Sequence, residues 1–139
     1  MRLLTIHQPW AWLIVSGHKR YENRNWSTSY RGPILVHAGK SSDSLSAGQR
    51  LCNSLGIELP ARMDFGSIVG MVEMTDCTTH DGIDDPFASG PFCFHLANAE
   101  RFQSPIQWRG ALGLVEPSRE LIEALAKQQL RSASPPSNL

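Results

Sequence analysis

The ten residues from Gly17 to Trp26 concentrate the side chains best suited to bind or transform a small polar ligand. They include one lysine, two arginines, one glutamate, two asparagines, a tyrosine and a tryptophan, and apolar segments flank them on both sides. A surface loop does not require this mixture, whereas a pocket that grips a flat, anionic molecule does. The composition therefore indicates a pocket for a nucleotide or a similar ligand.

Lys19 and two carboxylates, Glu22 and Glu73, are the residues most able to do chemistry. A lysine flanked by carboxylates can relay protons or can simply form ion pairs. Glu73 lies within the apolar run 67–77, so we expect it to be buried and therefore paired or protonated. In a regular strand Lys19 and Glu22 would point to opposite faces. They can share a face only if Lys19 lies in the turn after Gly17.

Aromatic and histidine residues near this stretch are candidates for holding a base. Trp26 follows the charged cluster and is a possible stacking platform, since base–aromatic stacking contributes about 1–3 kcal/mol per base. Trp10 lies on a short predicted helix, where a core role and a ligand-binding role both remain open. His7 and His37 each end a predicted strand and could meet at the cleft, although a hydrogen-bonded structural role is the commoner one for a lone histidine.

The candidate residues form two sets. The ligand-binding set is Gln8, Trp10, Lys19, Glu22, Arg24, Trp26, His37 and Glu73. The set for phosphate contacts is Arg24, Arg31, Lys40 and Arg109.

Composition excludes several other classes of protein. The formal net charge is zero, which argues against a protein that coats long DNA. The three cysteines are far apart and form no metal-ligand spacing with the five histidines, so we expect reduced thiols, no metal and no cofactor. No apolar run approaches the ~20 residues that span a bilayer, and no signal peptide is visible. The expected location is cytoplasmic, with no membrane partner.

Apolar runs separated by turn residues predict an α+β fold. Strands are predicted at residues 3–6, 20–24, 33–37, 67–77, 92–96 and 111–115, helices at residues 9–16, 44–55 and 118–129, and a loop at residues 97–106. Several neighbouring strands have only loops between them, which does not suit a doubly wound parallel sheet. Five or six short strands with two or three flanking helices favour a small β-barrel.

An ordered set of short motifs resembles one known family. The motifs are His7-Gln8-Pro9-Trp10, Gly17-x-Lys19, Glu22-x-Arg24, Trp26, Arg31-Gly32, Val36-His37-Ala38, Gly66-x-Ile68-x-Gly70-x-Val72-Glu73, Phe92-x-Phe94-x-Leu96, Asn98 and Gly113-Leu114. Together they resemble the ASCH domain, the activating signal cointegrator homology domain of the PUA-like superfamily, over roughly residues 3–116. The resemblance implies a PUA-like β-barrel whose cleft, beside the first helix and the following strand, takes RNA or a nucleotide-like ligand.

The resemblance to one enzymatic branch of that family is partial. This small bacterial branch hydrolyses the acetyl amide of N4-acetylcytidine with a lysine, a threonine three residues later and a glutamate on a later strand. Lys19 and Glu73 match the lysine and the glutamate, but Glu22 stands at the threonine position. A carboxylate can act as a nucleophile or a general base. It cannot perform the same acyl transfer by replacement alone.

We therefore expect residues 1–117 to form the PUA-like barrel, residues 118–131 a helix packed on it and residues 132–139 a disordered tail. The first functional hypothesis is an RNA- or nucleotide-binding module with a cleft for single-stranded RNA or a modified nucleoside. The alternative is a ribonuclease or nucleoside amidohydrolase with Lys19, Glu22 and Glu73 as catalytic groups. A third possibility is a protein-interaction domain that docks a partner on its C-terminal helix.

Overall fold

Within residues 1–133 the fold consists of five strands and three helices. The computed structural model describes residues 1–133, with the side chains of residues 1–128. In chain order the elements are β1 (Arg2–Ile6), α1 (Trp10–Val15), β2 (Tyr21–Arg24), β3 (Gly32–Ala38), α2 (Leu45–Leu55), β4 (Ser67–Thr79), β5 (Phe92–Gln107) and α3 (Arg119–Ala133). The predicted α+β class is confirmed, and the five strands and three helices agree with the prediction of five or six strands and two or three helices. None of the helices described combines the length and the apolarity that crossing a bilayer requires.

The strands form one sheet, curled into a half-barrel, in the order β1-β3-β4-β5-β2. β1 and β3 are parallel, and the other neighbours are antiparallel. The register between β4 and β5 shifts at three places, and such bulges bend and twist a strand pair. The curl brings the two edge strands, β1 and β2, close enough for a side chain of β2 to reach the backbone of β1.

The two faces of the sheet carry separate cores, because alternate residues of a strand point to opposite faces. On one face Leu4, Ile34 and Val36 pack against Ile14 and Val15 of α1. The core of the other face consists of Leu3, Leu35, Ile68, Leu121 and Leu125. The helices α1 and α3 therefore cover opposite faces.

Gly70 lets α1 lie directly on the sheet. A Cβ atom at this position of β4 would overlap the carbonyl oxygen of Glu100 and press against the side chain of Val15. A glycine inside a strand often marks such a close approach. Since both neighbours are in contact here, the position of α1 relative to β4 and β5 is closely constrained.

Three predicted elements differ from the structure. Residues 97–106, predicted as a loop, continue β5 and pair with β4 as far as Gln107 opposite Ser67, because ladder pairing overrides their weak strand propensity. The strand predicted at residues 111–115 is wrong, and Val115 makes an isolated bridge to Leu3. Helix α3 continues past residue 129 to Ala133. Residues 134–139 of the predicted disordered tail lie outside the described residues.

Candidate functional site

A cleft of about 480 Å³ opens where the two edge strands approach each other, and we call it the edge cleft. Its walls come from the end of β1, the start of α1, the segment before β2, β2 itself, α2 and the loop between β4 and β5. Four of the predicted ligand-binding residues line it, namely Trp10, Lys19, Glu22 and Arg24. The volume lies in the range of small-molecule sites, about 300–1,000 Å³.

Lys19 reaches the edge cleft because it lies in a tight turn rather than in a strand. Gly17 adopts the left-handed region with φ +84°, which glycine tolerates without strain. The backbone amide of Lys19 then donates to the carbonyl oxygen of Leu13 at 2.9 Å. β2 begins two residues later. Lys19 therefore lies in the turn after Gly17, the one arrangement in which Lys19 and Glu22 can share a face.

The ammonium group of Lys19 lies close to two aromatic rings. Lys19 is only 4% exposed, and its Nζ donates to the main-chain oxygen of Phe87 at 3.2 Å. The same nitrogen lies 5.6 Å from the ring centroid of Trp10 and 5.8 Å from that of Phe87. Burial lowers the pKa of Lys19, and the carboxylates of Glu22 and Asp85 partly oppose that shift. Lys19 therefore loses its proton at a lower pH than a free lysine does.

Glu22 is shared between two cations. Its Oε1 lies 4.0 Å from Lys19 Nζ, and its Oε2 accepts a hydrogen bond from Arg24 Nε at 2.9 Å. Arg24 Nη2 is 2.8 Å from the same oxygen and donates to the carbonyl oxygen of Thr5 at 2.9 Å. Because Thr5 belongs to β1 and Arg24 to β2, this guanidinium connects the two edges of the sheet beside the cleft.

Asn23, which sequence reasoning missed, holds the loop between β4 and β5 over the edge cleft. Its Nδ2 donates to the carbonyl oxygen of Phe87 at 2.9 Å. Its Oδ1 accepts the backbone amides of Ser89 at 2.8 Å and Gly90 at 3.0 Å. The Phe87 carbonyl therefore receives hydrogen bonds from both Asn23 and Lys19, and the Phe87 ring is held at the cleft wall.

The edge cleft combines ring surfaces with charged donors and acceptors. Trp10, which is half-buried, can contact the face of a planar ligand beside the mostly buried ring of Phe87, while Lys19 and Arg24 supply donors and Glu22 supplies acceptors. A nucleobase carries a flat ring together with amino and carbonyl groups at its edge, so it matches both kinds of surface. The arrangement also places a lysine of lowered pKa beside a carboxylate, which is suited to proton transfer.

Gln8 and Trp26 belong to the predicted ligand-binding set but contact other parts of the protein. Gln8 is buried, donates from Nε2 to the carbonyl oxygen of Asp64 at 2.8 Å and accepts the backbone amide of Trp12 at 2.9 Å. Trp26 packs edge-to-face on the buried ring of Phe94, with the centroids 5.2 Å apart. Neither side chain lines the edge cleft.

His37 and Glu73 are also outside the edge cleft. His37 is buried between Thr5 Oγ1 at 3.2 Å and the carbonyl oxygen of Trp108 at 2.6 Å. The expectation that Glu73 is buried in the core is wrong, because its side chain lies on the exposed side of β4 and accepts a hydrogen bond from Asn98 at 2.9 Å. The structure therefore brings Lys19 and Glu22 together without Glu73.

Among the four arginines and lysines considered for phosphate contacts, Arg24 alone lines the edge cleft. Arg31 pairs with Asp76 at 3.3 Å on the surface. Lys40 and Arg109 are exposed elsewhere on the molecule. Any phosphate in the edge cleft would thus meet few cations.

Comparison with known proteins identifies relatives of the chain. The family model of the ASCH domain matches residues 4–106. The chain is 32% identical over 109 residues to activating signal cointegrator 1 of Homo sapiens, an alignment that covers 70% of this chain and 19% of that protein. The identity to activating signal cointegrator 1 of Mus musculus is 34% over 90 residues, which cover 60% of this chain and 16% of the relative. The chain thus spans less than a fifth of the length of these curated relatives.

Solved structures show the same fold. The crystal structure of ASCH from Zymomonas mobilis superimposes with a TM-score of 0.54 at 12% identity, covering 91% of this chain and 93% of that one. A mutant of the Zymomonas mobilis protein gives a TM-score of 0.57 at 13% identity, with 91% and 94% covered. At such low identity the similarity concerns the fold alone.

Proposed function

The chain belongs to the ASCH domain family, and we propose that its edge cleft binds single-stranded RNA or a modified nucleoside. One nucleotide of the RNA would lie against Trp10 and Phe87. ASCH domains are generally RNA-binding modules of PUA-like fold. The observation that carries the proposal is the series of ion-paired charges Lys19, Glu22 and Arg24, the first two buried and the third half-buried, at an open cleft with aromatic walls. Burying charged groups is costly, so such a series in a cleft favours a binding role.

Stacking and hydrogen bonding would supply most of the affinity. Each stacked base contributes about 1–3 kcal/mol. Among the lysines and arginines of residues 1–128, only Lys19 and Arg24 line the edge cleft. Each phosphate neutralised on a single strand adds about −0.7 to the slope of log K against log salt. We therefore expect binding that weakens only gently as salt rises.

The test is an equilibrium titration of fluorescein-labelled single-stranded RNA, followed by anisotropy at two or more salt concentrations. Lys19→Met keeps the length and apolar stem of the side chain but removes the ammonium group, and Lys127→Met on the exposed side of α3 is its matched control. We expect the first substitution to weaken binding roughly tenfold or more, the value of one charge-assisted hydrogen bond, and the second to leave it unchanged. Equal affinities for both variants, or no binding at low salt, would contradict the proposal.

A hydrolytic function, either a ribonuclease or a nucleoside amidohydrolase, is the second candidate. One observation favours it, the lowered pKa of Lys19 next to Glu22, because a general base or nucleophile needs an accessible neutral form. With Glu73 outside the edge cleft, the catalytic groups would be Lys19 and Glu22. Incubation with RNA and with N4-acetylcytidine, followed by chromatography of the products, tests this candidate. Product formation that Lys19→Met abolishes would support it, and turnover unaffected by that substitution would remove Lys19 from the mechanism.

A further inference from the structure

The Nζ nitrogen of Lys19 and the Oε1 oxygen of Glu22 lie 4.0 Å apart, and both residues line the edge cleft. This distance is longer than a direct N–H···O hydrogen bond, which spans about 2.7–3.2 Å. It is instead close to the separation of two atoms that both hydrogen-bond to one oxygen lying between them. We call these two atoms the Lys19–Glu22 pair.

We propose that the Lys19–Glu22 pair binds a 2′-hydroxyl group of RNA, which accepts a hydrogen bond from Lys19 and donates one to Glu22. The pair would thereby make the edge cleft select RNA over DNA. This inference rests on the proposed function of the edge cleft and adds the chemical group by which the cleft recognises its ligand.

The distance within the Lys19–Glu22 pair suits a hydroxyl group. An oxygen about 2.8 Å from each of two atoms that are 4.0 Å apart meets them at an angle of about 90°. A hydroxyl oxygen carries one O–H donor and two lone pairs, so it can serve both partners at roughly this angle. A phosphate or carbonyl oxygen cannot donate to the Glu22 carboxylate, and an amino group of a base does not accept from the Lys19 ammonium. The edge of a base would need two atoms for the same task, and its parallel donor and acceptor suit partners that lie closer together.

Glu22 Oε1 keeps its capacity to accept hydrogen bonds. The other oxygen, Oε2, is occupied by Arg24, whose Nε and Nη2 lie 2.9 and 2.8 Å away. Within residues 1–128 no donor lies within hydrogen-bond distance of Oε1. In the same part of the chain, Ser16 Oγ alone among side-chain nitrogens and oxygens is both fully buried and without a partner. Oε1 is therefore accessible to solvent, and the edge cleft is the cavity that Glu22 lines.

Lys19 also keeps donors for a ligand. An ammonium group has three N–H donors. Within residues 1–128 its one hydrogen bond goes to the carbonyl oxygen of Phe87 at 3.2 Å. The backbone amide of Lys19 is fixed by the carbonyl oxygen of Leu13, and the Glu22 carboxylate is fixed by Arg24. Both members of the pair are thus held in position before a ligand arrives, which lowers the entropic cost of binding.

The Lys19–Glu22 pair lies beside the proposed stacking surface. Lys19 Nζ is 5.6 Å from the centroid of the Trp10 ring. In a nucleotide the 2′-hydroxyl is attached to the sugar carbon next to the one that carries the base, so a base stacked on Trp10 can bring its own 2′-hydroxyl to the pair. This group is both a donor and an acceptor, and it is the group by which a protein can distinguish RNA from DNA.

The test compares three single strands of one uridine sequence, in ribose, 2′-deoxy and 2′-fluoro form, by fluorescence anisotropy with the full chain. Fluorescein at the 3′ end and a phosphate at the 5′ end leave the 2′ positions as the only sugar hydroxyls. The 2′-fluoro strand keeps an RNA-like sugar pucker but cannot donate a hydrogen bond. We expect the RNA strand to bind roughly tenfold or more tightly than either of the others, because the lost hydrogen bonds involve charged partners.

Lys19→Met assigns the preference to the Lys19–Glu22 pair. This substitution removes the donor of the pair, so it should weaken the binding of the RNA strand and leave that of the deoxy strand nearly unchanged. The ratio of the two affinities should therefore fall close to one. Lys127→Met, on the exposed side of α3, is the matched control and should retain the full ratio. A thermal melt of each variant establishes that folded proteins are being compared.

The outcomes separate this inference from the proposed function. If the natural chain binds the three strands equally and Lys19→Met weakens all of them, the inference is overturned and the edge-cleft proposal stands. A 2′-fluoro strand that binds as tightly as RNA would also overturn the inference, because the preference would then come from sugar pucker. A preference for RNA that survives Lys19→Met would overturn it by placing the recognition elsewhere. Absence of binding for every strand would overturn both proposals.

Discussion

Lys19 Nζ lies 4.0 Å from Glu22 Oε1 in the edge cleft, and 4% of Lys19 and 7% of Glu22 are exposed. Arg24 binds the other oxygen of the same carboxylate. One buried negative charge therefore serves two cations. A substitution at Glu22 should affect stability, whereas a substitution at Lys19 should affect both ligand binding and the pH dependence of stability.

Replacing Glu22 with glutamine should lower the free energy of unfolding by about 3 kcal/mol, because Lys19 and Arg24 would lose their shared counter-charge inside the protein. Urea denaturation measures the change. The matched control is Glu116→Gln, which removes a carboxylate that pairs with Arg2 on the surface. The control should change stability by no more than about 0.5 kcal/mol. Equal stability of the two variants would contradict the assigned role of Glu22.

Because Lys19 is buried, the free energy of unfolding should increase as the pH rises in the alkaline range. Burial holds the folded-state pKa of Lys19 below its unfolded value, so between those two values the unfolded chain binds more protons. The penalty for burying the ammonium group is fully present below the folded pKa and disappears as pH approaches the ordinary lysine value of about 10.4. Urea denaturation of the natural chain and of Lys19→Met from neutral pH to pH ~10 isolates this effect. A difference that is flat, or that declines with pH, would rule it out.

Replacing Asn23 with alanine should release the loop that carries Phe87. The backbone amides of Ser89, which is exposed, and Gly90, which is half-buried, would lose their acceptor, so we expect a loss of stability of about 1 kcal/mol, the net value of a typical hydrogen bond. Hydrogen exchange of these two amides should accelerate, while the protection of the central strands stays close to that of the natural chain. The control is Asn53→Ala on the exposed side of α2. Unchanged exchange at both amides would show that Asn23 does not hold the loop.

Substitution of Trp10 should weaken RNA binding, whereas substitution of Trp26 should not. Trp10→Leu should weaken RNA binding by the equivalent of about 1–3 kcal/mol, because a stacking surface is lost from the edge cleft. Trp26→Leu should lower stability and leave the affinity for RNA unchanged, because Trp26 packs on the buried ring of Phe94 and does not line the edge cleft. Anisotropy titrations and thermal melts of both variants measure the two effects. A larger loss of affinity in folded Trp26→Leu than in Trp10→Leu would reverse the assignment.

The sequence predicts most of the fold because its strands and helices have strong local signals. The apolar runs of β1 and β3 and the left-handed Gly17 are of this kind. Residues 97–106 lack such a signal, since asparagine, glutamate, arginine and proline interrupt them, and only pairing with β4 makes them a strand.

The candidate site is predicted only in part. Lys19, Glu22 and Arg24 are close in sequence, so local spacing was sufficient to group them. Glu73 has apolar neighbours, which suggests burial, but strand alternation directs its side chain outward between the buried residues 72 and 74. Phe87 is distant in sequence and reaches Lys19 through a long loop. A lone phenylalanine in that polar loop is the available signal, but it does not reveal its partner.

The proposed binding of RNA in the edge cleft can be examined by photo-crosslinking to single-stranded RNA that contains 4-thiouridine, with the modified peptides identified by mass spectrometry. We expect crosslinks at Trp10 and Phe87 that an excess of unlabelled strand suppresses. Crosslinks confined to α3 or to the exposed face of β4, with none in the edge cleft, would contradict it.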